Sequence, residues 1–150
     1  MKLNEKINAD LKVAMKSGNK IRLQTLRSIR ALILEFEKSG SKKKFDQNEE
    51  INLLSTAAKK RKESIEEYKK AGRDDLAFNE KKELEIIMSY LPKQLTEEEI
   101  ISEVKKLAIV LGAKSKADFP KLMPAAIKEL KGKADGKTIK TVVEKILSTN

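Results

Sequence analysis

The segment from Tyr90 to Glu99 combines a helix stop with a helix start, and it constrains the fold more than any other stretch of the chain. Pro92 lacks a backbone N–H and disfavours the α conformation in the residue before it, so a helix should end near Tyr90. Thr96 and Glu99 have the spacing of a capping box, which predicts that another helix begins there. We therefore predict two helical parts, residues 1–92 and residues 93–150.

Helical periodicity dominates the rest of the chain. Apolar residues recur every three or four positions, and no segment alternates apolar and polar residues long enough to indicate a strand. The sequence predicts an all-α fold, with an N-terminal bundle of about four helices joined to a small C-terminal three-helix module. The first helix should place one stripe in the core, formed by Leu3, Ile7, Leu11, Ala14 and Met15.

Glycine and proline mark further boundaries. Gly18, Gly72 and Gly112 each stand where a residue following a helix is expected, and such residues often take a left-handed conformation. Pro120 and Pro124 fall in the sixth helical segment. Proline is tolerated in a first turn but cannot donate a hydrogen bond in a helix interior, so we expect a kink or a late start there.

The composition excludes several kinds of chemistry. The 150 residues include no Cys and no His, which removes disulfides, thiolate metal sites and the commonest general base. No nucleophile, base and oxyanion site can be assembled from the sequence, so we predict no catalytic residues, no cofactor and no metal site, and an independent enzyme is disfavoured. Glu80, Glu83 and Glu85 alternate with lysines and are interpreted as a solvated face.

The N-terminus and the hydropathy pattern bear on location. No apolar run approaches 18 residues, and no leader with a charged and then an apolar region begins at Met1. These features predict neither a membrane span nor secretion. We therefore expect a cytoplasmic protein.

The charge points to a polyanionic partner. The net charge is +10 and the isoelectric point is near 9.6, which favours a nucleic acid, although a solvated basic surface without a specific role would have the same composition. Residues 104–150 contain eleven Lys against four acidic residues. The ammonium group of lysine binds phosphate, but it lacks the planar, forked set of donors with which arginine recognises base edges. RNA binding should therefore depend on the shape and the backbone of the RNA.

Two groups of residues are candidates for RNA binding. The first surrounds the start of the seventh helix, where backbone N–H groups favour a phosphate; it comprises Lys131, Lys133, Gly136, Lys137 and Lys140. The alternative is that Gly132 and Asp135 there only cap helices. The second group comprises Arg27, Arg30, Arg61 and Arg73. Arg61 falls on the apolar seam of the third helix, so it either contacts a phosphate or pairs with an acid while its stem packs.

Three stretches together resemble the YqeY family, the small stand-alone relatives of the tail domain of the B subunit of the glutamine-dependent tRNA amidotransferase. They run from Arg61 to Leu76, from Tyr90 to Leu95 and from Lys131 to Lys137. The resemblance covers essentially the whole chain. It implies an N-terminal helical bundle, a C-terminal three-helix module and a link to tRNA and translation.

The resemblance also bears on activity and partners. In the amidotransferase the tail domain helps to hold tRNA, while the kinase-like and amidase active sites lie elsewhere. The carbon–nitrogen ligase label of the family, with glutamine as amido donor, therefore implies no catalysis by this chain alone. The expected function is a tRNA- or RNA-binding accessory module, with tRNA amidotransferase subunits as candidate partners. The alternative is a helical protein–protein adaptor without RNA binding.

Overall fold

The computed structural model describes residues 2–40 and 42–148, leaving out Met1, Ser41, Thr149 and Asn150. The described residues form seven α-helices and contain no strand, which confirms the all-α prediction. The helices are α1 (Leu3–Ser17), α2 (Lys20–Lys38), α3 (Gln47–Lys70), α4 (Asp74–Met88), α5 (Glu97–Leu111), α6 (Phe119–Glu129) and α7 (Gly136–Ser148). The chain divides into two compact units, Met1–Leu91 and Pro92–Asn150.

The first unit packs α1 against α2 and α3 against α4, and α2 also contacts α3 and α4. Its core is aliphatic, and its most deeply buried large side chains are Ile7, Leu26, Ile29, Ile33, Leu54 and Ile87. Met15 was expected in this core but is 54% exposed. The reason is geometric, because consecutive residues of a helix are separated by about 100° and Ala14 already occupies the end of the buried stripe.

The end of the first unit is a tightened helix terminus. Helix α4 ends at Met88, two residues before the expected position. The N–H groups of Tyr90 and Leu91 then donate to the carbonyls of Ile87 and Met88, both at 3.1 Å. These bonds span three residues instead of four, as is common at helix ends. Pro92 follows directly and prevents the helix from continuing.

The second unit packs α7 against α5 and α6. The apolar face of α7 is buried along its length, and it consists of Ile139, Val142, Val143, Ile146 and Leu147. Helix α5 begins with the predicted capping box of Thr96 and Glu99 and ends at Gly112, whose φ of 67° is left-handed. Helix α6 begins at Phe119 after a short 3-10 helix (Lys116–Asp118), so Pro120 lies in its first turn as expected, but Pro124 lies inside the helix and the start is not late enough to place both prolines in the first turn.

Candidate nucleic-acid interface

The turn between α6 and α7 is held by the segment that follows Pro92. The side-chain Nε2 of Gln94 donates to the carbonyl of Gly132 at 2.7 Å and to that of Pro92 at 2.9 Å. The backbone N–H of Leu95 donates to the carbonyl of Lys133 at 2.9 Å. Two of the three stretches that carry the family resemblance thus meet within the second unit. Their backbones are fixed by hydrogen bonds, while the side chains of Lys131 and Lys133 remain exposed.

The start of α7 adds the remaining predicted residues. Gly136 is the first residue of the helix, and it is exposed together with Lys137 and Lys140. The ammonium of Lys140 lies 4.0 Å from the carboxylate of Glu144 on the solvent side. The structure therefore gathers the four lysines of the first candidate group around one turn and the adjacent helix start. We call Lys131, Lys133, Lys137 and Lys140 the α7 lysine cluster.

The backbone at the start of α7 is not an open anion site. The carboxylate of Asp135 accepts a hydrogen bond of 2.7 Å from the N–H of Thr138, which is the N-cap role predicted as the alternative. A carboxylate at this position repels phosphate even though the helix dipole attracts it. Any attraction for a polyanion here must come from the lysine side chains.

Two of the candidate arginines lie on the exposed face of α2. Arg27 and Arg30 are both solvent-exposed, and Arg27 lines a shallow hollow together with Lys20, Leu23 and Gln24. Within residues 2–40 and 42–148, neither guanidinium makes a hydrogen bond or an ion pair. We call Lys20, Gln24, Arg27 and Arg30 the α2 arginine face.

Arg61 is paired with acidic residues of α4. Its Nε lies 3.0 Å from Oε2 of Glu83 and 3.5 Å from Oε2 of Glu80, although neither contact has the alignment of a hydrogen bond. This is the pairing that the sequence left open as the alternative to a phosphate contact. It also corrects the interpretation of Glu80 and Glu83 as a solvated face, since their side chains are only 23% and 16% exposed. Burial, reinforced by Glu83 and opposed by Arg61, raises the pKa of Glu80.

Arg73 lies apart from the other candidates, in the turn between α3 and α4. Its Nε and Nη2 each donate to a carboxylate oxygen of Asp75 at 3.3 Å. This hydrogen-bonded pair lowers the pKa of the Asp75 carboxyl. The four candidate arginines therefore differ in their partners, because the candidates on α3 and in the turn are paired with carboxylates while the two on α2 are not.

A polar cluster around Tyr90 was missed by the sequence reasoning, which treated this residue only as a helix end. The Tyr90 hydroxyl donates to the carboxylate of Asp10, and Nη2 of Arg22 lies 3.5 Å from that hydroxyl. The ammonium of Lys6 lies 5.2 Å from the ring centroid. Burial and the neighbouring Asp10 raise the pKa of Tyr90, so the phenol stays protonated and serves as a hydrogen-bond donor. The sequence did contain one signal for this cluster. Asp10 is one of only two acidic residues in residues 2–30, which contain eight basic residues, so an acid at this position suggested a specific partner.

Two features of the described residues bear on the class of protein. No group of three or more acidic, Cys or His side chains is arranged to hold a metal ion in residues 2–40 and 42–148. Over the same ranges, no helix has the length and apolar character required to cross a membrane.

The fold and surface define a small basic all-α protein built from two helical units. The sequence profile of the family described as Yqey-like protein matches residues 4–147. The chain therefore belongs to the YqeY family, as the resemblance indicated.

Curated relatives share most of the chain. One, from Pyrenophora tritici-repentis, is named altered inheritance of mitochondria protein 41, mitochondrial; it is 32% identical over 130 residues, which cover 86% of this chain and 71% of the relative. A protein of the same name from Saccharomyces cerevisiae strain YJM789 is 32% identical over 137 residues, covering 90% of this chain and 71% of the relative.

These names contradict the predicted cytoplasmic location, because both relatives are named as mitochondrial proteins. The prediction was wrong in its reasoning as well. The lack of a long apolar segment argues only against a membrane span, and a protein of an organelle interior needs no such segment either.

Proposed function

We propose that this protein is an RNA-binding accessory module whose ligand is tRNA or another structured RNA. The observation that carries the proposal is the α7 lysine cluster, four exposed lysines around a turn whose backbone is fixed by Gln94 and Leu95. A fixed turn presents these charges in a defined arrangement, which lowers the ordering cost of binding. Family membership supports the same ligand, because the resemblance to the amidotransferase tail domain implies contact with tRNA.

Charge is segregated along the second unit, which strengthens the case for a polyanion. Residues 92–103 contain one Lys and four Glu, whereas residues 104–150 contain eleven Lys and four acidic residues. Mixed charges would largely cancel at a distance, but separated charges produce a positive region that attracts a polyanion and raises its association rate. The first turn of α5 carries Glu97, Glu98 and Glu99, so RNA should avoid that end of the unit.

Lysine chemistry defines what this surface would recognise. An ammonium group is a point charge that binds phosphate without reading a base edge. Affinity should therefore depend strongly on salt and weakly on RNA sequence. In this proposal the chain holds RNA, and a partner protein, for which the subunits of a tRNA amidotransferase are the first candidates, supplies the chemistry.

A second candidate function is a protein–protein adaptor. Ile109 and Val110 near the end of α5 are 81% and 80% exposed, and exposed apolar side chains in the same unit favour docking of a protein. Under this alternative, the α7 lysine cluster would have no specific role. Replacing Ile109 and Val110 by Ser would then abolish partner capture and leave RNA binding unaffected.

The test is tRNA binding by a triple variant, Lys133→Gln, Lys137→Gln and Lys140→Gln. Its affinity for a fluorescent tRNA transcript, measured by anisotropy over a salt series, should fall, and the salt slope should decrease by up to about three. The matched control is Lys105→Gln, Lys106→Gln and Lys145→Gln, three exposed lysines of the same unit. Both variants lose three positive charges. If the α7 lysine cluster contacts the RNA directly, the Lys133, Lys137 and Lys140 variant should lose more affinity than the control.

Three results would contradict the proposal. The first is wild-type protein that does not bind tRNA at low salt. The second is an affinity and slope that the triple variant leaves unchanged while its helical circular dichroism and melting temperature remain normal. The third is an equal loss in the control variant, which would show that only net charge matters.

A further inference from the structure

The arginines of this chain differ in whether a carboxylate holds them. Arg22 lies 3.9 Å from Oδ2 of Asp10, Arg61 contacts Glu80 and Glu83, and Arg73 is paired with Asp75. Arg27 and Arg30 complete the five arginines of the sequence, and they have no such partner within the described residues. Guanidinium groups readily pair with available carboxylates. The two arginines without a carboxylate partner both lie on α2, so this helix is the candidate for binding an external anion.

The surroundings of this face are strongly positive. Residues 2–30, which include α1 and the first half of α2, contain eight basic residues against Glu5 and Asp10. Asp10 is already engaged by the hydroxyl of Tyr90 and by Arg22. In contrast, residues 31–91 contain thirteen basic and thirteen acidic residues. The entire net charge of the first unit therefore originates in its first two helices.

The geometry of α2 places the two unpaired arginines next to each other on the helix surface. Arg27 and Arg30 are three residues apart, which sets their Cβ atoms about 5–6 Å from each other on the helix surface. Lys20 and Gln24 extend the same face towards the start of α2. The hollow lined by Lys20, Leu23, Gln24 and Arg27 supplies a recess in which a ligand group can approach both a cation and an amide.

We propose that the α2 arginine face is a second RNA-binding surface, which holds the sugar–phosphate backbone through Arg27 and Arg30. The inference rests on the proposed function for its class of ligand, but it concerns a different unit and a different residue type. Arginine can bind a phosphate through two parallel N–H···O bonds, and its planar group can also stack on an unpaired base. This surface therefore has a means of recognition that the α7 lysine cluster lacks.

The residues around the hollow favour RNA over an acidic protein. Most of the exposed surface of the hollow is apolar, but only one of its four lining residues, the half-buried Leu23, is an apolar residue. Protein interfaces are usually centred on several apolar and aromatic side chains. Backbone recognition of RNA needs cations and hydrogen-bond donors instead, and those are what Lys20, Gln24 and the two arginines provide.

The test compares two double variants with wild-type protein, using the same fluorescent tRNA transcript over a salt series. Arg27→Gln with Arg30→Gln should weaken binding several-fold and lower the salt slope by about two. Arg27→Lys with Arg30→Lys keeps the charge but loses the fork, so it should retain the slope while its affinity falls. The control is Lys69→Gln with Lys70→Gln, two exposed lysines at the end of α3 in the electrically balanced part of the unit.

The outcomes separate this inference from the proposed function. If the glutamine pair binds tRNA with unchanged affinity and slope while the lysine triple variant loses affinity, the α2 surface is refuted and the proposed function stands. If the α2 variants lose affinity and the lysine triple variant does not, the inference stands and the α7 lysine cluster is refuted. Displacement of tRNA by poly-glutamate as readily as by unlabelled tRNA would assign the face to an acidic protein and overturn the RNA proposal.

Discussion

Arg61 illustrates at the scale of single residues how a cation is accommodated on the apolar seam of a helix. Its side chain is only 25% exposed, and its guanidinium lies beside two carboxylates of α4. Glu83 is the closer partner at 3.0 Å. Glu80 is less favourably placed, because its Oε2 is buried without a hydrogen bond and the pKa of its carboxyl is raised by burial. The two glutamates should therefore contribute differently to stability.

Replacing Glu80 by Gln should change the pH dependence of stability. The folded protein holds the Glu80 pKa above the 4.5 of an ordinary glutamate, so folding favours the protonated carboxyl. The stabilisation from this group is fully present below the unfolded pKa and is lost as the pH rises through the folded pKa. Glutamine resembles the protonated form at every pH. The free energy of unfolding of Glu80→Gln, relative to wild-type protein, should therefore increase between about pH 4 and about pH 7.

Urea unfolding at both pH values measures this difference, and Glu85→Gln is the matched control because Glu85 is an exposed residue of the same helix. A relative stability of Glu80→Gln that declines over the same pH interval would show that the attraction of Arg61 outweighs the burial of the Glu80 carboxylate.

At the scale of helices, the signals that could be read from the sequence were local. The capping box at the start of α5 and its glycine end were predicted and are confirmed. These features depend on side chains within four residues of a helix end, so a short window of sequence contains them. The position of Pro120 in the first turn of α6 was predictable for the same reason, because proline acts on its own backbone, whereas Pro124 lies inside that helix.

Contacts between distant parts of the sequence could not be predicted in this way. Periodicity indicates which face of a helix is buried, but it does not say which residue of another helix lies opposite. Asp10 and Tyr90 are 80 positions apart, and Gln94 and Gly132 are 38 apart. The position of Arg61 on the seam predicted that it needed a partner, and only the pairing of α3 with α4 identified that partner as Glu80 and Glu83.

The capping box of α5 allows a direct measurement of one local signal. The N–H of Glu99 donates to Oγ1 of Thr96 at 3.2 Å, and the N–H of Thr96 donates to Oε1 of Glu99 at 3.5 Å. Thr96→Ala removes the first of these bonds and should lower the free energy of unfolding by about 1 kcal/mol. Thermal or urea unfolding followed by circular dichroism measures the loss.

The control for this prediction lies in the same unit. Thr141 is an exposed residue within α7, and its hydroxyl donates to the carbonyl of Lys137 at 3.1 Å. Thr141→Ala should be neutral or slightly stabilising, because alanine has the higher helix propensity. Equal destabilisation by both substitutions would argue that the threonine methyl, and not the cap, is responsible.

At the scale of the whole molecule, the net positive charge comes from two regions. One is formed by residues 2–30 of the first unit, and the other by residues 104–150 of the second. The remaining sequence carries a small net negative charge. Lysine itself is spread along the chain, with five Lys in residues 2–30 and eleven in residues 31–91, and the first region is positive because it contains only two acidic residues against thirteen in residues 31–91. A preference for lysine codons does not explain this scarcity of acidic residues, so the distribution supports a role for the charge in binding.

The division into two units predicts a pattern of limited proteolysis. Lys42, Lys43 and Lys44 are exposed between α2 and α3, and Lys93 is exposed between the units. The sequence alone favours both sites equally. In the structure, however, Gln94 and Leu95 are hydrogen-bonded to the turn between α6 and α7. Cleavage requires local opening, so trypsin should cut first at residues 42–44 and later at Lys93.

A Gln94→Ala variant sharpens this prediction, because it removes both side-chain bonds of Gln94 and leaves Lys93 unchanged. Cleavage at Lys93 should then accelerate, while the rate at residues 42–44 stays the same and serves as the internal control. Mass spectrometry of fragments over a time course measures both rates. If the two units are separate domains, the product 94–150 should persist. A first cut within α3 or α7 would instead show that those helices open before the connection between the units, and the division at Pro92 would have to be abandoned.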